Sequence, residues 1–252
     1  MDFASKVLSA RPGNTHIFSA GQAGFIVKSS SGQLLAIDMY LSDCVERLEG
    51  NFGFKRLLPK ILTPSELEFD VVICTHPHFD HFDIDSVPAM MRHRTKLFCS
   101  VECRRLVQML HMEYYGSRIE YVRPEDSFTA GDFRLSFVKC DHGESAPDAV
   151  GVAAEVDGIT VYEAGDTCLR LDIAAELPKS PDVMIAPING TFGNLSAEEC
   201  SILAECLNPG VTIPCHYGMF AHQYGDLGRF YEVMTQKHLP FRIMGQGEVF
   251  TI

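Results

Sequence analysis

Asp-Val-Val-Ile-Cys-Thr-His-Pro-His-Phe-Asp-His-Phe-Asp, residues 70–83, is the stretch whose reading decides the fold. Val71, Val72 and Ile73 form a β-branched run of the kind that makes a short buried strand. His76, His78, Asp80 and His81 follow within six residues. In extended chain, side chains two apart point the same way, so His76 and His78 aim both imidazoles at one point beyond the strand end. A turn into a helix near Asp83 carries Asp80 and His81 to a neighbouring point. Neutral imidazole and carboxylate suit zinc, manganese or iron. Such side chains rarely cluster without a site, so a polar loop with chance histidines is the weaker reading.

Composition narrows the field. The chain has 252 residues, 46% hydrophobic and 21% charged, ordinary values for a soluble globular protein with a substantial core. That length allows one large domain or two small ones. With no linker or low-complexity segment, a single domain over 1–252 is expected. Lys and Arg number 21 against 33 Asp and Glu, a net charge of −12. Phosphate binding needs basic clusters and none stands out, so nucleic acid is not an expected partner. No apolar run approaches a membrane span and residues 1–15 lack a signal-peptide core, so the expectation is a cytoplasmic protein with no membrane partner. Nine scattered cysteines without C-x-x-C read as reduced, mostly buried thiols.

Upstream of the histidines, His16–Asp38 reads as a hairpin with arms Gly24–Lys28 and Leu34–Asp38 and a turn at Ser29–Gly32. Gly21-Gln22-Ala23-Gly24-Phe25 is small enough to bring backbone close to a site. Ile37–Asp43 ends a strand in polar residues, a short helix follows through Leu48, and Asn51–Glu68 is a loop or irregular insertion. Downstream, Ile84–Met91 predicts a helix, Lys96–Ser100 a strand and Val101–His111 a helix. Gly131–Cys140 alternates as a strand and ends in Asp141-His142-Gly143. Val150–Val156 and Ile159–Tyr162, joined by Asp157-Gly158, form the clearest hairpin. It runs into Glu163-Ala164-Gly165-Asp166-Thr167. Arg170–Leu177 predicts a helix, and the strand Val183–Ala186 leads to Pro187-Ile188-Asn189-Gly190. A capping box at Ser196–Glu199 opens a helix to Leu207. The strand Val211–Pro214 ends at Cys215-His216-Tyr217-Gly218. A helix over Leu227–His238 and a strand near Glu248–Ile252 close the chain. This order predicts an α/β fold, two β/α halves packed sheet to sheet with helices outside, hence a four-layer αββα sandwich. His76, His142, Asp166 and His216 each sit just past a predicted strand, where ends converging on one sheet edge build a site.

Taken together, these residues resemble the metallo-β-lactamase fold superfamily: H-x-H-x-D-H at His76–His81, the later His142, Asp166 in G-D-T, and His216. The resemblance spans nearly the whole chain. G-Q-A-G-F at Gly21–Phe25, I-D-x-Y-L-S-D at Ile37–Asp43, P-I-N-G at Pro187–Gly190 and C-H-Y-G-M-F-A-H at Cys215–His222 resemble, more narrowly, the L-ascorbate-6-phosphate lactonase group. Its members are manganese-dependent cytoplasmic lactone hydrolases. The resemblance implies that His76, His78 and His142 hold one metal ion, that Asp80, His81 and His216 hold a second, and that Asp166 bridges. It implies one or two divalent ions per chain, manganese or zinc with iron also accepted, and a homo-oligomer.

The implied function is a metal-dependent hydrolase that uses a metal-bound hydroxide on a small, anionic ester or lactone such as L-ascorbate 6-phosphate. Asp80 and Asp166 are the candidate catalytic carboxylates, with Asp80 the natural general base if only one ion binds. Two other readings stay open: hydrolysis of a small phosphodiester or RNA, with the −12 charge against RNA, and a metal-binding module without catalysis, against which the complete ligand set argues. Asn189 and His222 lie in loops where substrate contacts usually live and are candidate substrate residues. Cys140, Cys168 and Cys215 read as small buried hydrophobes rather than ligands. His16, His93, His111 and His238 read as surface or helix residues, and Arg170 as an exposed helix arginine rather than an anion contact.

Overall fold

The computed structural model describes residues 1–222 and 224–252. In chain order its elements are α1 (Phe3–Ser9), β1 (His16–Gly21), β2 (Gly24–Lys28), β3 (Leu34–Ile37), α2 (Cys44–Glu49), β4 (Val71–Cys74), α3 (Ser86–Met90), β5 (Lys96–Ser100), α4 (Arg104–Met109), β6 (Ile119–Val122), β7 (Ser127–Ala130), β8 (Phe133–Lys139), β9 (Val150–Val156), β10 (Ile159–Glu163), α5 (Ile173–Glu176), β11 (Val183–Pro187), α6 (Ala197–Leu207), β12 (Val211–Cys215), α7 (Leu227–Gln236) and β13 (Val249–Thr251). The described strands form two mixed sheets, ordered β13-β1-β2-β3-β4-β5-β6 and β12-β11-β10-β9-β8-β7. Within them β3, β4, β5 and β6 run parallel, as do β10, β11 and β12.

The β-branched run behaves as its sequence demands. All four residues of β4 are buried, because β4 has parallel neighbours on both sides and is covered on both faces. Val71 and Ile73 point between the sheets, where they meet Phe98, Phe137 and Val161. Val72 and Cys74 point outward into a layer with Phe3, Val87 and Leu106, from α1, α3 and α4. The second sheet repeats this: Ile185 points inward, while Met184 and Ala186 pack outward against Leu203 of α6 and Phe230 of α7. The alternation gives the αββα order of layers. Each Val, Leu, Ile, Met or Phe side chain among them contributes about 1.5–3 kcal/mol when fully buried. Among the described residues, no helix is long and apolar enough to cross a membrane.

The local signals hold where they are chemically specific. Asp157 and Gly158 both have positive φ, +53° and +84°, as the two-residue turn of the β9–β10 hairpin requires. Ser196 and Glu199 cap the start of α6 reciprocally. Other elements depart from the reading. Residues 16–37 make a three-stranded meander rather than a hairpin, since β1 also pairs with β2. Helix α1, which has no counterpart in the sequence reading, is seven residues long and is held from outside itself. Lys28 Nζ donates to the carbonyl oxygens of Val7, Leu8 and Ala10, satisfying the end of the helix from β2. The edge strands β6 and β7 also went unread; they are four residues each and only partly buried.

Two residue assignments are corrected. His16 is buried, 5% exposed, on β1: its Nδ1 pairs with Thr251 Oγ1 at 2.8 Å and its Nε2 with the Arg11 carbonyl at 2.9 Å. Arg170 precedes a shorter helix, α5, and its side chain is 12% exposed. Its guanidinium donates to the Lys139 carbonyl, Asp172 and Glu176, tying the end of β8 to α5. His93, His111 and His238 are exposed.

Candidate metal centre

The C-terminal ends of the parallel strands open onto one edge of the molecule, and the polar residues collect there. His76, His78, Asp80 and His81 leave β4, His142 follows β8, Asp166 follows β10 and His216 follows β12. The β1–β2 turn brings Gln22, the end of β3 brings Asp38, and the end of β11 brings Asn189. Gln22, Asp38 and His216 have φ of +55°, +46° and +58°. Side chains adopt that left-handed backbone at a cost of about 1–3 kcal/mol each, and such residues cluster at functional sites.

One ligand atom from each of His76, His78 and His142 lies within 4.8 Å of the others, and the same is true of Asp80, His81 and His216, and of His76, His81 and Asp166. His78 Nδ1 is 2.9 Å from His76 Nε2 and 3.2 Å from His142 Nε2. Asp166 Oδ1 lies 2.8 Å from His216 Nε2 and 3.3 Å from His81 Nε2, and its Oδ2 lies 3.9 Å from His142 Nε2. Even so, His81 Nε2, His216 Nε2 and Asp166 Oδ1 are buried without a hydrogen-bond partner. Unpaired buried polar atoms cost about 1–3 kcal/mol each, and coordination of a cation removes that penalty. Imidazole and carboxylate are the donors a divalent ion takes. The residues present fit such an ion.

Outer contacts set the proton positions. Thr75 donates its N–H to Asp38 Oδ1 at 2.8 Å and its hydroxyl to Asp38 Oδ2 at 2.6 Å. The Thr75 oxygen is therefore free to accept from His76 Nδ1, 3.0 Å away, leaving Nε2 bare. Asp38 Oδ2 also accepts from His81 Nδ1 at 2.7 Å. Both rings thus turn Nε2 inward. The Gln22 amide nitrogen spans Asp80 Oδ2 and His216 Nδ1, 3.0 Å from each. Asn194 Nδ2 donates to Asp166 Oδ2 at 2.9 Å and to Asn189 Oδ1 at 3.1 Å.

The two ligand groups are electrostatically unlike. Burial pushes His76 well below the usual imidazole range, lowers His78, and brings His142 to about 4. These three rings are neutral at pH 7. Burial also opposes charge on His81, but the carboxylates of Asp166, Asp38 and Asp80 outweigh it and raise His81 well above its usual value. Burial works against ionised Asp166 too, and His216 with His81 overcomes it, so that carboxyl sits well below its usual range. A measurable consequence concerns protons. Metal binding to the His76–His78–His142 group is expected to release no proton at pH 7, whereas binding that engages His81 displaces the proton His81 carries. Affinity for the first ion is then expected to vary little with pH near neutrality, while affinity for the second falls as pH drops. Titration calorimetry in two buffers of different ionisation enthalpy checks both. Equal proton release at the two steps would overturn the assignment.

Beside the ligands lies a cavity of about 620 Å³. His78, Asp80, His142, Asp166 and His216 contribute to its wall, and so does Asn189. His222 stands outside that lining: it is exposed, its N–H donates to the Gly53 carbonyl, and its ring meets Phe54 edge-on at 6.1 Å. Cys140 and Cys215 are buried, and the Cys140 thiol donates to the Asp166 carbonyl. Three residues with clear roles here, Asp38, Gln22 and Asn194, were not singled out by sequence. Asp38 and Gln22 lie in the I-D-x-Y-L-S-D and G-Q-A-G-F stretches, whose resemblance carried no role for either side chain. Asn194 carries no local signal.

A family model described as Beta-lactamase superfamily domain matches residues 16–216, from the first residue of β1 to the last of the candidate ligands. A UPF0173 metal-dependent hydrolase of Aeropyrum pernix is 30% identical over 207 residues, covering 74% of this chain and 83% of that protein. One from Saccharolobus solfataricus is 29% identical over 203 residues, covering 76% and 86%. Among solved structures, a metallo hydrolase from Ignicoccus hospitalis superposes with a TM-score of 0.72 at 24% identity, over 95% of this chain and 98% of that one. That likeness speaks to fold; the sequence matches speak to family. The chain belongs to the metallo-β-lactamase superfamily, among its metal-dependent hydrolases.

Proposed function

We propose that this chain hydrolyses a small ester or lactone, with manganese or zinc held by His76, His78 and His142 and by Asp80, His81 and His216, and with Asp166 between the two groups. The observation that carries the reading is that His216 Nε2 and Asp166 Oδ1, buried and without a hydrogen-bond partner, belong to residues lining a substrate-sized cavity. A divalent ion supplies Lewis acidity there and lowers the pKa of bound water to about 7.

The remaining work falls to side chains. Asp38 and Thr75 hold the His76 and His81 rings with Nε2 inward. Phe79 and Phe220 form an apolar wall that limits water around the reacting carbonyl. Asp80, its side chain 18% exposed, stands at the cavity surface and accepts the proton of the attacking water when a single ion is present. Water oxygen bonds to the acyl carbon, the acyl C–O bond breaks, and the leaving oxygen takes the proton. Ser145 also lines the cavity, but its hydroxyl donates to the His142 carbonyl rather than to a base, which argues against a serine nucleophile.

The partner in this reading is a small molecule, and the net charge of −12 disfavours nucleic acid. The test is hydrolysis of a panel of γ-lactones, L-ascorbate 6-phosphate among them, and of 4-nitrophenyl esters by metal-loaded protein. His76→Ala is expected to lose metal and turnover together. Undiminished turnover in metal-free His76→Ala would contradict the reading.

A further inference from the structure

The cavity beside the ligands is sorted by chemistry. Phe54, Phe79, Phe192 and Phe220 make one broad aromatic surface, extended by Val45 and Leu106. Phe54 stacks on Phe192 with ring centroids 6.3 Å apart and meets Phe220 edge-on at 5.6 Å. Phe192 is 65% exposed and has φ of +53°. A bulky residue held in left-handed backbone with its ring in solvent adds little to the core, and retention of such strain points to a role at the cavity mouth.

A single cation stands against this surface among the described lining residues. Arg105, near the start of α4, reaches the cavity and makes no ion pair among the described residues. Arg105 and His78 both belong to the wall of this cavity. Glu49 also lines the cavity, and burial pushes its carboxyl up.

We propose, on the strength of the hydrolase reading above, that the substrate is an amphipathic anion: an ester or lactone with an aryl or alkyl body and one anionic group. The body lies on the Phe54–Phe192–Phe220 surface, and Arg105 receives the carboxylate or phosphate through its planar fork. Arg105 is thus the specificity residue, and Phe192 closes the apolar side. Aromatic surface of this kind accepts rings in offset or edge-on contact.

Two readouts test it. In the first, metal-loaded protein is titrated calorimetrically with 3-phenylpropionate, with phenyl phosphate, and with neutral 3-phenylpropanol. In the second, kcat/KM is compared for mono(4-nitrophenyl) glutarate and 4-nitrophenyl butyrate. Arg105→Gln is expected to cut the preference for anionic over neutral partners by about 10- to 100-fold in both, and Arg105→Glu to reverse it. Phe192→Ala is expected to weaken all three probes by about 3- to 10-fold alike. Whichever anion loses more with Arg105→Gln tells carboxylate from phosphate. An anionic preference that Arg105→Gln leaves intact would overturn the proposal, even with every ester hydrolysed. Arg105-dependent binding without ester turnover would sink the hydrolase reading and leave the subsite standing.

Discussion

Asp166→Asn is expected to bring turnover down to the level of metal-free protein and to leave less than a full complement of metal. Asp166 is the one described carboxylate in contact with rings from both ligand groups: His81 and His216 through Oδ1, His142 through Oδ2. An amide keeps the shape but brings no charge, and its NH2 group faces imidazole nitrogens that need an acceptor or a metal. Metal content by mass spectrometry and ester hydrolysis read the loss, and circular dichroism checks that the fold survives. Metal-free protein shows a second effect. Asp166 and His81 form a buried, charge-compensated pair, and removing one partner of such a pair costs about 3–5 kcal/mol. Because the folded carboxyl sits below its unfolded value, this stability is present above about pH 4 and is lost as pH falls through the folded value. The melting temperatures of wild type and variant therefore separate most at neutral pH and converge in acid. Full metal content in Asp166→Asn would remove the bridging role.

Asp38→Asn carries the second large effect, although Asp38 touches the ligands only from behind. It is fully buried and accepts from the Thr75 N–H, the Thr75 hydroxyl and His81 Nδ1, at 2.8, 2.6 and 2.7 Å. Asparagine tolerates the φ of +46° that alanine would strain, so it isolates the chemistry. Its amide offers one acceptor oxygen in place of two, and an NH2 group meets Thr75 or His81 donor to donor. The His81 ring then loses its orientation, and through Thr75 so does His76. Loss of an outer partner of this type typically weakens metal binding about 10- to 100-fold. Competition with a fluorescent zinc chelator measures that change, with the same assay on Asp166→Asn as the severe reference. Wild-type affinity in Asp38→Asn would mean that the rings are held by packing alone.

What could be read from sequence was whatever the chain encodes locally. The β-branched run of β4, the Asp157-Gly158 turn and the Ser196–Glu199 capping box each rest on neighbours within a few residues. The ligand-type residues were legible for a related reason: each lies just past a strand, and the parallel strand ends deliver them to one edge. What escaped depends on contacts distant in sequence. Thr75 and Asp38 are 37 residues apart, and Gln22 and His216 are 194 apart. Helix α1 ends on Lys28, which lies beyond any local capping pattern. His16 and Arg170 look like surface residues until Thr251, Arg11, Lys139 and Glu176 are placed around them. His222 differs from these in being exposed and outside the cavity lining. Its ring meets Phe54 edge-on, a contact 168 residues away in sequence.

Anomalous diffraction from crystals loaded with manganese or zinc locates the bound metal itself. One peak is expected among His76, His78 and His142 and a second among Asp80, His81 and His216, with Asp166 in reach of both. Metal that binds stoichiometrically elsewhere on the chain, with no density at these side chains, would contradict it.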